Sequence, residues 1–175
     1  MRSIITISII LIVFVGFWFY LKNRGTGNSQ PKEKPIPESK HSKEFNSSIG
    51  TVMENYYALT ESLVNWDSSG VKSHAQALKS NLDSFKLDEL KKDSAGIEET
   101  ASAFMNEVKN DADSIRLNNS ILLQRQALNN MTQNLYDFLR SVKYDRAKLY
   151  LEQCAMAFNE TEPGVWLSKG ASIRN

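Results

Sequence analysis

Cysteine is nearly absent from this chain of 175 residues: there is one, Cys154, so no internal disulfide is available and stability has to come from packing. Histidine is almost as scarce, with only His41 and His74, which rules out a di-iron bundle that needs Glu-x-x-His on two helices. Proline is concentrated rather than spread. Three of the four lie at positions 31, 35 and 37, so the rest of the chain is free to form long helices. Net charge is also small, at +1, and no global field draws in nucleic acid. There is no Gly-rich phosphate loop, no G-x-S-x-G elbow and no C-x-x-C-H haem attachment. No set of residues shows proton-transfer spacing, and the expectation is a protein that is not an enzyme.

Against these absences stand two long apolar patterns. The first is Ser3 to Leu21, without a single charge and ending in Phe17, Trp18, Phe19 and Tyr20. A helix of that length spans about 28 Å, close to the hydrocarbon thickness of a bilayer, and its aromatic end suits the interface. Because no small-residue cleavage pattern follows, residues 1–21 read as an uncleaved single-pass anchor, with the lipid bilayer as the partner of that helix. Residues 22–43 follow, with six Lys/Arg, two Glu and the three prolines; they read as a disordered basic linker, and His41 as a solvated residue within it. With Arg2 and this strip counted, the net +1 leaves residues 44–175 at −4.

The second pattern is helical. Phe45, Ile49, Val52, Tyr56, Leu59, Leu63 and Trp66 step by threes and fours, which predicts a helix over 44–66. Asp67 to Gly70 breaks it and is suited to cap the next helix, whose stripe is Val71, Ala75, Leu78, Leu82 and Phe85. A third stripe runs Ile97, Ala101, Phe104, Val108, Ala112 and Ile115, with Ser94 as its expected start. A fourth runs Leu128, Met131, Leu135, Phe138 and Val142 within 118–143. Met53, Met105 and Met131 are expected in the core, and His74 at the surface. The fold class expected for residues 44–175 is all-α: an antiparallel four-helix bundle with a short extended C-terminal tail. In that tail, Leu149 to Leu151 and Val165 to Ser168 read as extended pieces around a turn at 159–164, a hairpin-like arrangement fixed to the bundle by Trp166.

The tail also carries a resemblance. Cys154-Ala155-Met156-Ala157, Gly164-Val165-Trp166-Leu167-Ser168 and Ile173-Arg174-Asn175 resemble the C-P-M-A, G-A-x-W-L-S and I-x-N-P-Y-F-G signature of the family called domain of unknown function 3347. Upstream, Tyr57 to Leu63, Ala75 to Leu82 and Gln124-Arg125 with Leu128 and Met131 are similar to that family's helices, so the resemblance covers about residues 50–175. It implies an extracytoplasmic (periplasmic) helical domain, with heavy-metal efflux components as partners. That orientation runs against the positive-inside count at Lys22, Arg24, Lys32 and Lys34. Ala155 stands where the family has proline, and Gln153 where it often has histidine.

Cys154 and Met156 are the candidate metal ligands. A thiolate and a thioether are soft donors that suit Cu(I), and positions 154 and 156 of an extended strand point to one face. A third donor would come from Met53, Met105 or Met131. The functional expectation is a membrane-tethered extracytoplasmic module for soft-metal (copper) handling or efflux. The alternative is a protein-binding module with a degenerate, non-functional metal site, in which both residues simply pin the tail.

Overall fold

The computed structural model describes residues 40–93, 96–158 and 162–171. The anchor at 1–21, most of the linker at 22–43 and the Ile173-Arg174-Asn175 motif lie outside the described residues. Among the described residues, no helix is long and apolar enough to cross a membrane.

Four helices carry the fold: α1 (Lys43–Val64), α2 (Ser68–Ser84), α3 (Ile97–Leu117) and α4 (Ile121–Ser141). A short 3-10 turn, Asp88–Lys92, lies between α2 and α3. Each start has a local cause. The Ser42 hydroxyl accepts from the Phe45 N–H at the head of α1, and the Asp67 carboxylate accepts from the Gly70 N–H at the head of α2. At the head of α3 the cap is Gly96, at a left-handed φ of 90°; Ser94, the expected start, lies outside the described residues. Connectors of three residues, 65–67 and 118–120, reverse the chain between α1 and α2 and between α3 and α4. Consecutive helices pack side by side, so each buries one apolar stripe against its neighbours.

The four stripes are largely as the periodicity predicts. Phe45, Ile49, Val52, Tyr56, Leu59 and Leu63 are buried on α1; Val71, Ala75, Leu78 and Leu82 on α2; Ala101, Val108, Ala112 and Ile115 on α3; and Leu128, Met131, Leu135 and Phe138 on α4. Met53 and Met105 join them in the core. His74 is half-buried rather than at the open surface.

The stripe on α1 fails at its last member. Trp66 is 64% exposed, because the helix ends at Val64 and the chain turns through a left-handed φ of 58° at Trp66 itself. The linker expectation also needs correcting at its end. His41 is not solvated: its side chain is 9% exposed, stacks on Phe45 at 4.6 Å and lies 3.5 Å from Glu89 and 3.7 Å from Asp93. The ordered domain therefore begins before residue 44, since the 3-10 turn offers carboxylates that the composition of the linker could not reveal.

The tail is more regular than a short extended piece. β1 (Tyr150–Phe158) and β2 (Glu162–Ser168) form an antiparallel hairpin, so the domain is a helical bundle with a small sheet. Tyr150 faces Ser168, Glu152 faces Trp166 and Cys154 faces Gly164; beyond that the register slips before Phe158 meets Glu162. Pro163 and Gly164, expected in the turn, are strand residues.

Candidate functional site

The hairpin is fastened through β2, and the fastening begins with a fully buried relay. The Leu167 N–H donates to the Tyr56 hydroxyl (3.0 Å), which lies 2.6 Å from the Thr132 hydroxyl, which in turn donates to the Leu128 carbonyl (2.8 Å). With Thr132 donating onward, Tyr56 is the donor to Thr132. Burial pushes the Tyr56 phenol up, which keeps that proton in place. A second tie joins the Val165 N–H to the Asn129 side-chain oxygen at 2.8 Å. The side chain that plugs the bundle is Leu167, at 1% exposure. Trp166, the expected plug, is only half-buried. Alternation explains the exchange: successive side chains of a strand point to opposite faces, so Leu167 and Trp166 cannot share one face of β2.

Held this way, the hairpin overhangs the junction of α1 and α4 and leaves a groove of about 300 Å³. Thr60, Leu63 and Val64 line it from α1, and Arg125, Leu128 and Asn129 from α4. The hairpin supplies Cys154, Met156, Ala157 and Phe158 from β1, and Gly164, Val165 and Trp166 from β2. Both candidate sulfur ligands therefore share one groove. Cys154 is half-buried there, and Met156 stands at the rim, 68% exposed. The register slip falls between Cys154 and Phe158, in the stretch of β1 that carries Met156.

The expected third donors are not in the groove. Met53, Met105 and Met131 are core residues at 3%, 2% and 0% exposure, and none of them lines it. Among the described residues, no cluster of three or more His, Cys, Asp or Glu is placed to hold a metal ion. A soft ion would find one thiol and one thioether in a lining that also holds the Thr60 hydroxyl, the Asn129 amide and the Arg125 guanidinium.

Arg125 is the charged residue of the lining. Its guanidinium lies 4.3 Å over the Trp66 ring and donates to the Leu63 carbonyl at 3.2 Å, where α1 ends. Its neighbour Gln124 is buried and donates to the Ile115 and Asn118 carbonyls at the end of α3. The Gln-Arg pair thus serves two helix ends whose carbonyls have no partner within the helix. Sequence reading identified the pair but not its role, and it missed the Trp66–Arg125 stack. The signal was there: a tryptophan beside the helix-breaking Asp67-Ser68-Ser69-Gly70.

The fold and this groove define a class: a small helical bundle that holds a β-hairpin across one helix junction. The family model described as "Protein of unknown function (DUF3347)" matches residues 52–147, more than half of the chain, and the protein belongs to that family. The match covers the helices and ends before β1, so Cys154 and Met156 lie beyond it. No curated protein matches the chain. No solved structure matches it.

Proposed function

We propose that this protein is a membrane-tethered, extracytoplasmic helical module that binds a soft monovalent metal ion, Cu(I), in the groove beneath its hairpin and serves heavy-metal efflux components without catalysing a reaction. The observation that carries this reading is that Cys154 and Met156 line the same open groove. Cys154 is half-buried and Met156 is exposed. A thiolate with a monovalent cation is neutral, so the pair adds no net charge to a groove that already holds the Arg125 guanidinium. Ser3 to Leu21 and the basic strip after it support the tether.

The test is a Cu(I) titration of the full chain against a competing chelator. Wild type should compete, and Cys154→Ser combined with Met156→Leu should not. Equal competition by both overturns the reading.

A second reading has its own observation. Trp66 and Met156 expose large apolar surface near the groove, as a protein-docking module would. In that case crosslinking of the membrane-embedded chain recovers a partner, and Trp66→Ala abolishes its capture while Cu(I) competition is absent.

A further inference from the structure

Two sulfurs leave one side of a bound ion open, and the hairpin register gives the neighbours of Cys154 across the strands. Cys154 is paired with Gly164, which has no side chain. The next residue on that face of β2 is Trp166, diagonal to Cys154 and at about 7–8 Å between backbones, a separation an aromatic ring can bridge. Cys154, Met156 and Trp166 all line the one groove.

The other polar groups of that lining are committed elsewhere. The Asn129 oxygen accepts from the Val165 N–H, the Thr60 hydroxyl donates to the Tyr56 carbonyl at 2.9 Å, and Arg125 is a cation bound to Leu63. Glu152, a carboxylate on the same face of β1, is buried, accepts from the Ser168 hydroxyl and does not line the groove. Phe158 does line it, but its ring is turned onto Gly164: a Cβ built there would lie 3.2 Å from Phe158 Cε2.

We propose that the indole of Trp166 is the third contact of the soft-metal site, its π face set against the ion held by the Cys154 and Met156 sulfurs. This rests on the reading of those two sulfurs as ligands. Tryptophan offers the most electron-rich face of the aromatic residues, and a half-buried ring is less screened by water than a surface one. Binding displaces the thiol proton to solvent, the thiolate and thioether supply the donor electrons, and the ring adds an electrostatic contact without a bond. The site favours a soft, low-coordinate monovalent cation, because its two donors are a thiolate and a thioether.

The experiment uses Ag(I), a redox-inert ion of the same class, with the full chain carrying Trp18→Phe and Trp66→Phe so that Trp166 is the sole tryptophan. The expected result is quenching of Trp166 fluorescence that saturates at one ion per chain, lost in the Cys154→Ser, Met156→Leu variant. Trp166→Leu should weaken Ag(I) binding about tenfold, and Trp166→Phe by less, because a ring is retained. Helical circular dichroism equal to wild type shows that each variant is folded. Ag(I) binding that needs both sulfurs but is unchanged by Trp166→Leu overturns the third contact and leaves the metal site standing. Failure of Ag(I) to bind the wild-type sulfurs removes both.

Discussion

The hydroxyl of Tyr56 accepts a hydrogen bond from the backbone N–H of Leu167, 3.0 Å away and separated from it by 111 positions in the chain. The same oxygen continues to Thr132 on α4. One phenol therefore joins the first helix, the last helix and the hairpin.

Tyr56→Phe keeps the ring and removes that junction, leaving the Leu167 N–H buried without a partner. The expected loss is about 1–3 kcal/mol in equilibrium urea unfolding. Tyr57 provides the contrast, because its hydroxyl is buried and finds no partner among the described residues. Tyr57→Phe retains the ring under the Lys169 ammonium and should change stability by less than about 0.5 kcal/mol, or raise it. Equal losses for the two adjacent substitutions would contradict the relay.

Asp111 on α3 links stability to pH. Burial pushes its carboxyl up to about 6, against the pull of the Asn134 amide 3.4 Å away, and Glu107 adds to the rise. A carboxyl with a raised folded pKa binds its proton more tightly in the native state. Stability therefore falls as pH rises from the ordinary aspartate value near 3.8 to about 6, and stays lower above that. Asp111→Asn should be more stable than wild type at neutral pH by about 1 kcal/mol, a value discounted for partial solvent screening. That advantage should vanish below pH 3.8. Urea midpoints across this range check it.

Glu89 works in the opposite direction. The Ser42 hydroxyl and backbone N–H both donate to its carboxylate at 2.6 Å, and His41 lies beside it. The Ser42 hydroxyl, above all, holds the Glu89 carboxyl below its ordinary value of 4.5. A lowered folded pKa stabilises above that value, and the contribution is lost as pH falls through the depressed one. Glu89→Gln should therefore unfold at lower urea than wild type at neutral pH, and the two curves should merge in acid well under pH 4.5. Curves that remain apart in acid would show that the carboxylate charge is not what fastens the start of α1.

The legible part of this molecule is the part set by spacing. The stripes on α1 to α4 could be read because burial of one helix face imposes a period of three to four residues, and Tyr56, Leu78, Val108 and Leu135 all fall on it. His41 could not be read, because its surroundings come from Glu89 and Asp93, about fifty positions away. The groove that Cys154 and Met156 line has walls from α1 and α4 as well as from the hairpin, and no spacing within the tail encodes those walls. The choice between Leu167 and Trp166 as the buried plug depends on which face of β2 meets the bundle, and no local pattern encodes that.

Gly164 tests whether the slipped register shapes the groove. A Cβ at this position would lie 2.7 Å from the Ala157 Cβ and 3.2 Å from Phe158 Cε2. The Ala157 Cβ is fixed to the backbone and cannot rotate away, so Gly164→Ala must push β1 outward. The expected result is a loss of about 1–3 kcal/mol in urea unfolding, the ordinary cost of overpacking. Ala157→Gly removes the nearer of the two obstacles and should recover most of that loss in the double variant, a coupling expected only of side chains in contact. Because Cys154 faces Gly164 across the strands, the single variant should also make the Cys154 thiol react faster with a maleimide reagent, and the double variant should return it toward the wild-type rate. Additive losses, with thiol reactivity unchanged in all three proteins, would mean that Ala157 does not lie over Gly164 and that the wall of the groove is built in another way.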